Sequence, residues 1–153
     1  MKTIRMEKND WLLRVIFDLP DERVNKLSTA VMSELAQVVT ELSKETQYEV
    51  VSFESAKKDI FIAGADIEEL RDINDLATAR EKGQVGQMLF TRIAALPQTT
   101  VAIIDGACVG GGCELALACD YRIATDNPKT TIGLPEVRLG IIPGWGEHNA
   151  YQD

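Results

Sequence analysis

The stretch 101–120, VAIIDGACVGGGCELALACD, constrains the chain most. It opens on an apolar, largely β-branched run, Val101 to Ile104, which reads as a buried strand. Asp105-Gly106 marks a turn. Gly110, Gly111 and Gly112 then remove three consecutive side chains, as a chain does where something approaches its backbone closely. An apolar segment from Leu115 to Ala118 follows as a helix, with Glu114 at its start. The first turn of a helix has N–H groups without intrahelical partners, and its dipole favours negative charge. Two readings stand for this stretch. Such N–H groups can hold a carbonyl oxygen that gains charge during a reaction, with Glu114 beside it as acid or base. Equally, Glu114 is a favourable helix-start residue with no further role.

Two other ligand motifs fail on spacing. A dinucleotide fingerprint needs G-x-G-x-x-G opening a helix, and Gly106 with the 110–112 triplet does not supply it. A phosphate-binding P-loop needs Lys and Ser/Thr after its last glycine, where Cys113 and Glu114 stand here.

The rest of the chain alternates strand and helix patterns. Trp11 to Asp18 reads as a strand ended by Pro20. Ser28 or Thr29 caps a helix to about Ser43, with Val31, Leu35, Val38 and Leu42 on one apolar face. Tyr48 to Phe53 and Ile60 to Ile62 read as strands. Ala63-Gly64-Ala65-Asp66 is a second small-residue turn before a second helix start, with Asp66 as N-cap. A longer helix over 78–95 carries Val85, Leu89, Arg92, Ile93 and Leu96 on its face and stops at Pro97. Tyr121 to Ala124 and Thr130 to Ile132 are short strands. Glu136 follows Pro135 with no helical pattern around it, and the reading as a solvated loop acid stays open. Strand runs apolar on both sides indicate β-α units on buried sheets, an α/β fold without sequence repeats.

At 153 residues the chain fits one domain. A net charge of −8 argues against a general nucleic-acid partner. No apolar run reaches membrane-spanning length, and the N-terminus lacks the apolar region of a signal peptide. The three cysteines, Cys108, Cys113 and Cys119, match no zinc spacing, and His148 is remote from them, so no metal is expected. They read as small buried residues in a reducing, cytoplasmic setting.

Three features can converge: the N–H groups around Ala65, the N–H of Gly111, and the acids Glu114 and Glu136. At these residues the chain resembles the crotonase superfamily, the enoyl-CoA hydratase/isomerase fold. The matching pieces are FIAGADIEEL (61–70), IDGACVGGGCELALACDYRIAT (104–125) and IGLPEVRLGIIPGWG (132–146). The wording DNPKT followed by IGLPEVRLGIIPG is especially similar to the N-terminal hydratase/isomerase domain of multifunctional fatty-acid oxidation α-subunits.

The resemblance implies a spiral of repeated β-β-α units over 1–146 and an acyl-CoA thioester as substrate. Coenzyme A would enter as part of the substrate, with no separate cofactor. The thioester oxygen would accept hydrogen bonds from Ala65 and Gly111 N–H, while Glu114 and Glu136 handle water and protons. Val24, with Ala63, Gly64, Asp66 and Ile67, matches the places where the family holds CoA. The family continues after Gly146 with helices that cover the acyl pocket and build a trimer-based homo-oligomer. Here 147–153 reads EHNAYQD, a short atypical tail. The expectation is therefore a C-terminally truncated chain that lacks the family's C-terminal helices. Its exposed apolar surface would be covered by self-association. Three functional readings follow: a hydratase/isomerase of fatty-acid β-oxidation, an inactive CoA-binding or assembly module, and a related crotonase chemistry such as dehalogenation or decarboxylation.

Overall fold

A computed structural model of the chain describes residues 2–145. Gly146, His148 and the tail 147–153 lie outside the described residues. The elements are β1 (Ile4–Asn9), β2 (Leu12–Phe17), α1 (Thr29–Leu42), β3 (Val50–Ser55), β4 (Ile60–Ile62), α2 (Ile67–Arg71), α3 (Leu76–Ala94), β5 (Thr99–Ile104), β6 (Ala107–Val109), α4 (Gly111–Leu117), β7 (Tyr121–Ala124) and β8 (Thr131–Gly133). A single 3₁₀ turn, Pro135–Leu139, follows β8.

The strands form two sheets, β1-β2-β3-β5-β7 and β4-β6-β8. Only β1 and β2 pair antiparallel; every other pairing is parallel. The strand pairs β3/β4, β5/β6 and β7/β8 each send their first member to the large sheet and their second to the small one. Helices separate the pairs. This is the repeated β-β-α architecture, and its repeat lies in topology rather than in sequence.

The large sheet and α1 build most of the core. Val31, Leu35, Val38 and Leu42 are all buried, as their spacing predicts, joined by Met32 and Val39. Ser28 caps α1 by accepting from Val31 N–H. At the other end, Gln98 Nε2 donates to the carbonyls of Leu42 and Glu45, at 2.9 and 2.7 Å, satisfying carbonyls that the helix leaves free. In β2 and β3, Val15, Phe17, Val51 and Phe53 have no exposed surface.

Several sequence expectations are corrected. The face of α3 is Gly86, Leu89, Phe90 and Ile93. Val85 and Arg92 lie off it: Val85 is exposed, and Arg92 reaches across to Thr40 Oγ1 at 2.7 Å. β1 and β6 replace segments that the sequence pattern leaves irregular. The last strands are not buried on both sides, because Tyr121, Ile123 and Ile132 are exposed at the free edges of the two sheets. No described helix is long and apolar enough to cross a membrane.

Gly106 is where the two sheets are forced together. It has φ +90°, and a Cβ there would lie 1.9 Å from the carbonyl carbon and oxygen of Asp59. Ala107 N–H donates to that same Asp59 oxygen at 3.0 Å. The turn from β5 to β6 therefore rests directly on the turn from β3 to β4. Gly106→Ala combines an unfavourable backbone region with a backbone clash, so it should destabilise the fold by about 3 kcal/mol or more. Urea unfolding of the two proteins measures this, and an unchanged midpoint would contradict the packing described.

Candidate functional site

The small sheet explains why three distant motifs meet. β4, β6 and β8 are parallel neighbours with β6 in the middle. The segment 63–66 leaves the C-terminal end of β4, the triglycine leaves β6, and Leu134-Pro135-Glu136 leaves β8. Adjacent strands lie about 4.8 Å apart, so three consecutive C-terminal ends place three loops side by side. Ligands of open α/β sheets gather at such ends.

The first loop is built mainly through its backbone. Leu27 N–H donates to Gly64 O at 2.8 Å, and Asp66 N–H donates to Leu27 O at 3.3 Å. Leu27 and Ala65 thus form a parallel bridge. With its two flanking groups turned toward Leu27, the N–H of Ala65 itself faces the opposite side, because backbone groups alternate along an extended segment. Ala63 N–H is taken by Asn25 O at 2.8 Å, which ties the loop containing Val24 to this turn. Gly64, at φ +96°, abuts the triglycine: a Cβ there would sit 3.4 Å from Val109 O and 3.9 Å from Gly111 N. Asp66 caps α2, accepting from Glu68 and Glu69 N–H. It also pairs with Lys26 Nζ at 3.1 Å. Burial opposes its charge, but Lys26 and the two N–H groups win and hold its carboxyl below the ordinary value. Ile67 begins α2 with an exposed side chain, and Val24 and Ala63 are half-buried.

Each glycine of the second loop has its own neighbour. A Cβ on Gly110 would fall 2.8 Å from Glu136 Oε1. One on Gly111 would fall 2.7 Å from Cζ3 of Trp145, and one on Gly112 would fall 2.5 Å from Ile62 O. Gly110 N–H donates to Gly133 O at 3.0 Å, joining this loop to the third. Gly111 is the first residue of α4, so its N–H has no intrahelical acceptor.

Both acids are buried. Glu114 lies in the first turn of α4 and is 3% exposed; its Oε1 accepts from Trp145 N–H at 2.6 Å. Glu136 does not stand in a solvated loop. Pro135 opens the 3₁₀ turn and Glu136 occupies its first turn, at 8% exposure. Its Oε1 faces Gly110, and its Oε2 is buried without a hydrogen-bond partner among the described residues. A buried carboxylate oxygen left without a partner is costly. Burial pushes the thiols of Cys108 and Cys119 up to about 12.

The structure thus brings Gly64, Ala65, Gly111, Glu114 and Glu136 to one edge of the small sheet, with Val24, Ala63, Asp66 and Ile67 on its flank. Two contributors escape the sequence reading. Trp145 stands there only within the matching piece 132–146. Asn25 belongs to none of the elements or motifs read there, yet it is 1% exposed. Its Oδ1 accepts from Leu19 N–H, and its Nδ2 donates to Phe17 O, Ser55 Oγ and Phe61 O.

Comparison with known proteins gives a consistent match. The family model described as enoyl-CoA hydratase/isomerase matches residues 7–152. The fatty acid oxidation complex subunit alpha of Aliivibrio fischeri is 44% identical over 141 residues, which are 92% of this chain and 20% of that protein. An enoyl-CoA hydratase structure from Geobacillus kaustophilus superposes with a TM-score of 0.90 at 29% identity, covering 98% of this chain and 55% of that one. The enoyl-CoA hydratase structure from Bacillus anthracis gives 0.88 at 31% identity, covering 97% and 57%. The chain therefore spans about a fifth of the curated relative and somewhat over half of each solved structure.

Asn25→Ala should strip partners from four buried or half-buried groups at once and cost about 2–4 kcal/mol. Urea unfolding reads the loss. A change within about 0.5 kcal/mol, the usual range for surface substitutions, would show that Asn25 does not hold the loop.

Proposed function

The chain belongs to the enoyl-CoA hydratase/isomerase family, and from that premise we propose that it binds an acyl-CoA thioester and hydrates or isomerises its double bond in fatty-acid oxidation. One observation carries the reading. Gly64 lies against the triglycine, and Glu136, buried beside Gly110, has an Oε2 without a hydrogen-bond partner among the described residues.

In this reading the thioester carbonyl oxygen accepts hydrogen bonds from the N–H groups of Ala65 and Gly111. These donors are fixed by the fold before substrate arrives, so they stabilise the enolate-like charge without reorganising. Of Glu114 and Glu136, one takes a proton from water as its oxygen attacks C3. The other delivers a proton to C2. The hydroxyl ends on C3 and the hydrogen on C2, so the water is fully accounted for. In the isomerase direction, Glu136 carries a proton between C4 and C2. Coenzyme A enters as part of the substrate, with no separate cofactor. Its adenine and pantetheine run along Val24, Ala63, Gly64, Asp66 and Ile67, mainly against backbone.

A second reading is a CoA-binding or assembly module without turnover. The exposed Tyr121, Ile123 and Ile132 at the sheet edges favour it, since open apolar edges invite association into a homo-oligomer.

Hydration of crotonyl-CoA, followed by loss of the enoyl-thioester absorbance, tests the first reading. Glu114→Gln and Glu136→Gln should each lower kcat by about 10²–10⁴-fold, the usual range for a lost acid or base. CoA should still protect both variants from thermal unfolding. Undiminished turnover in either variant removes that residue from the mechanism. Protection of the wild-type protein by CoA with no turnover supports the module.

A further inference from the structure

Trp145 occupies a notch that two helices make for it. Gly86 on α3 and Gly111 on α4 face the ring from either side. A Cβ on Gly86 would come within 2.3 Å of the indole Cδ1, on the pyrrole edge. A Cβ on Gly111 would come within 2.7 Å of Cζ3, on the benzo edge. Phe90, one turn beyond Gly86, meets the ring edge-on at 5.8 Å. The backbone on either side of the ring is pinned as well: Trp145 N–H donates to Glu114 Oε1, and Gln87 Nε2 donates to Gly144 O at 2.7 Å.

We propose that the Trp145 indole is the specificity-determining wall of the acyl subsite and restricts the site to short acyl groups. This rests on the thioester reading of the Gly111 site. An acyl group whose carbonyl is held by Gly111 N–H starts beside a ring already in contact with Gly111. The ring fills the space between α4 and α3 into which a longer chain would extend. Helix positions held as glycine on both sides give the indole its seat, so the restriction is made by one side chain. Truncating that side chain joins the notch to the subsite and exposes an apolar floor, Phe90, to the added methylenes.

The test titrates free CoA, butyryl-CoA and octanoyl-CoA into the full chain, into Trp145→Ala and into Trp145→Phe, by calorimetry. The wild-type protein should bind octanoyl-CoA no more tightly than butyryl-CoA. Trp145→Ala should tighten octanoyl-CoA relative to butyryl-CoA by about tenfold or more, as expected if only part of the extra chain is buried. Trp145→Phe should move the same ratio in the same direction by less. Free CoA should bind all three alike. A merely structural tryptophan would weaken all ligands together and leave the ratio fixed, which overturns the proposal while the thioester reading stands. If the alanine protein does not fold, the phenylalanine protein decides by the same ratio. Trp11 is the only other tryptophan and is exposed, so Trp11→Phe leaves Trp145 as sole emitter. Its emission should shift on adding butyryl-CoA and not on adding CoA; no shift at saturation overturns the proposal. If the wild-type protein binds neither CoA nor any thioester, the thioester reading falls and the wall with it.

Discussion

Backbone packed on backbone is the constraint from which the rest follows. At the C-terminal ends of β4 and β6 the loops touch through glycines: Gly64 lies against Val109 to Gly111, and Gly112 lies against the carbonyl of Ile62. At Gly112 no side chain fits, because a Cβ would fall 2.5 Å from that carbonyl; at Gly64 it is the φ of +96° that calls for glycine. The contact brings the Ala65 turn and the start of α4 together from distant parts of the sequence. A site made this way needs little from side chains for its donors. On the proposed function it needs them for protons, and Glu114 and Glu136 are both buried.

The parallel pairing of the small sheet makes this contact unavoidable. Because β4, β6 and β8 run the same way, their exits lie in a row. The large sheet imposes that order, since each repeated unit must return to it before the next can begin. β5 lies between β3 and β7 in one sheet just as β6 lies between β4 and β8 in the other. Gly106 is the hinge between the two arrangements, and its missing side chain lets the turns cross. Asp120 anchors the return, accepting from the Thr100 N–H and hydroxyl at 2.8 and 2.9 Å as β7 enters beside β5.

Strong periodicity and short punctuation made much of this legible in the sequence. The α1 stripe, the caps at Ser28 and Asp66, and the triglycine each follow from local chemistry, and the structure places them as read. Glu136 was ambiguous because a 3₁₀ turn is too short to leave a helical pattern, and its burial comes from the neighbouring loop. β6 spans three residues inside what reads as a glycine loop, too few for periodicity to register. Val85 was misplaced on the core face of α3 because Gly86, which has no hydropathy to contribute, is the residue that faces inward. Asn25 left no trace, since one buried amide in a polar loop is distinguished only by partners 6 to 36 residues away. Those partners exist only after the sheets have formed.

Trp145 separates two kinds of design within the one site. The backbone of the site is fixed by glycine contacts, at Gly111 against the Trp145 ring and at Gly112 against the Ile62 carbonyl, so it is the rigid part. The proposed wall is a single side chain on the segment after Gly140, which adopts φ +70°, and Gln87 holds that segment through the Gly144 carbonyl. Trp145 reaches Glu114 through its backbone N–H, and Gly86, Phe90 and Gly111 through its ring. On the proposed function, chemistry and selectivity are carried by different atoms of the same residue. The placement of Glu114 depends on where the backbone of Trp145 lies, and the room for an acyl group depends on the ring that this backbone carries.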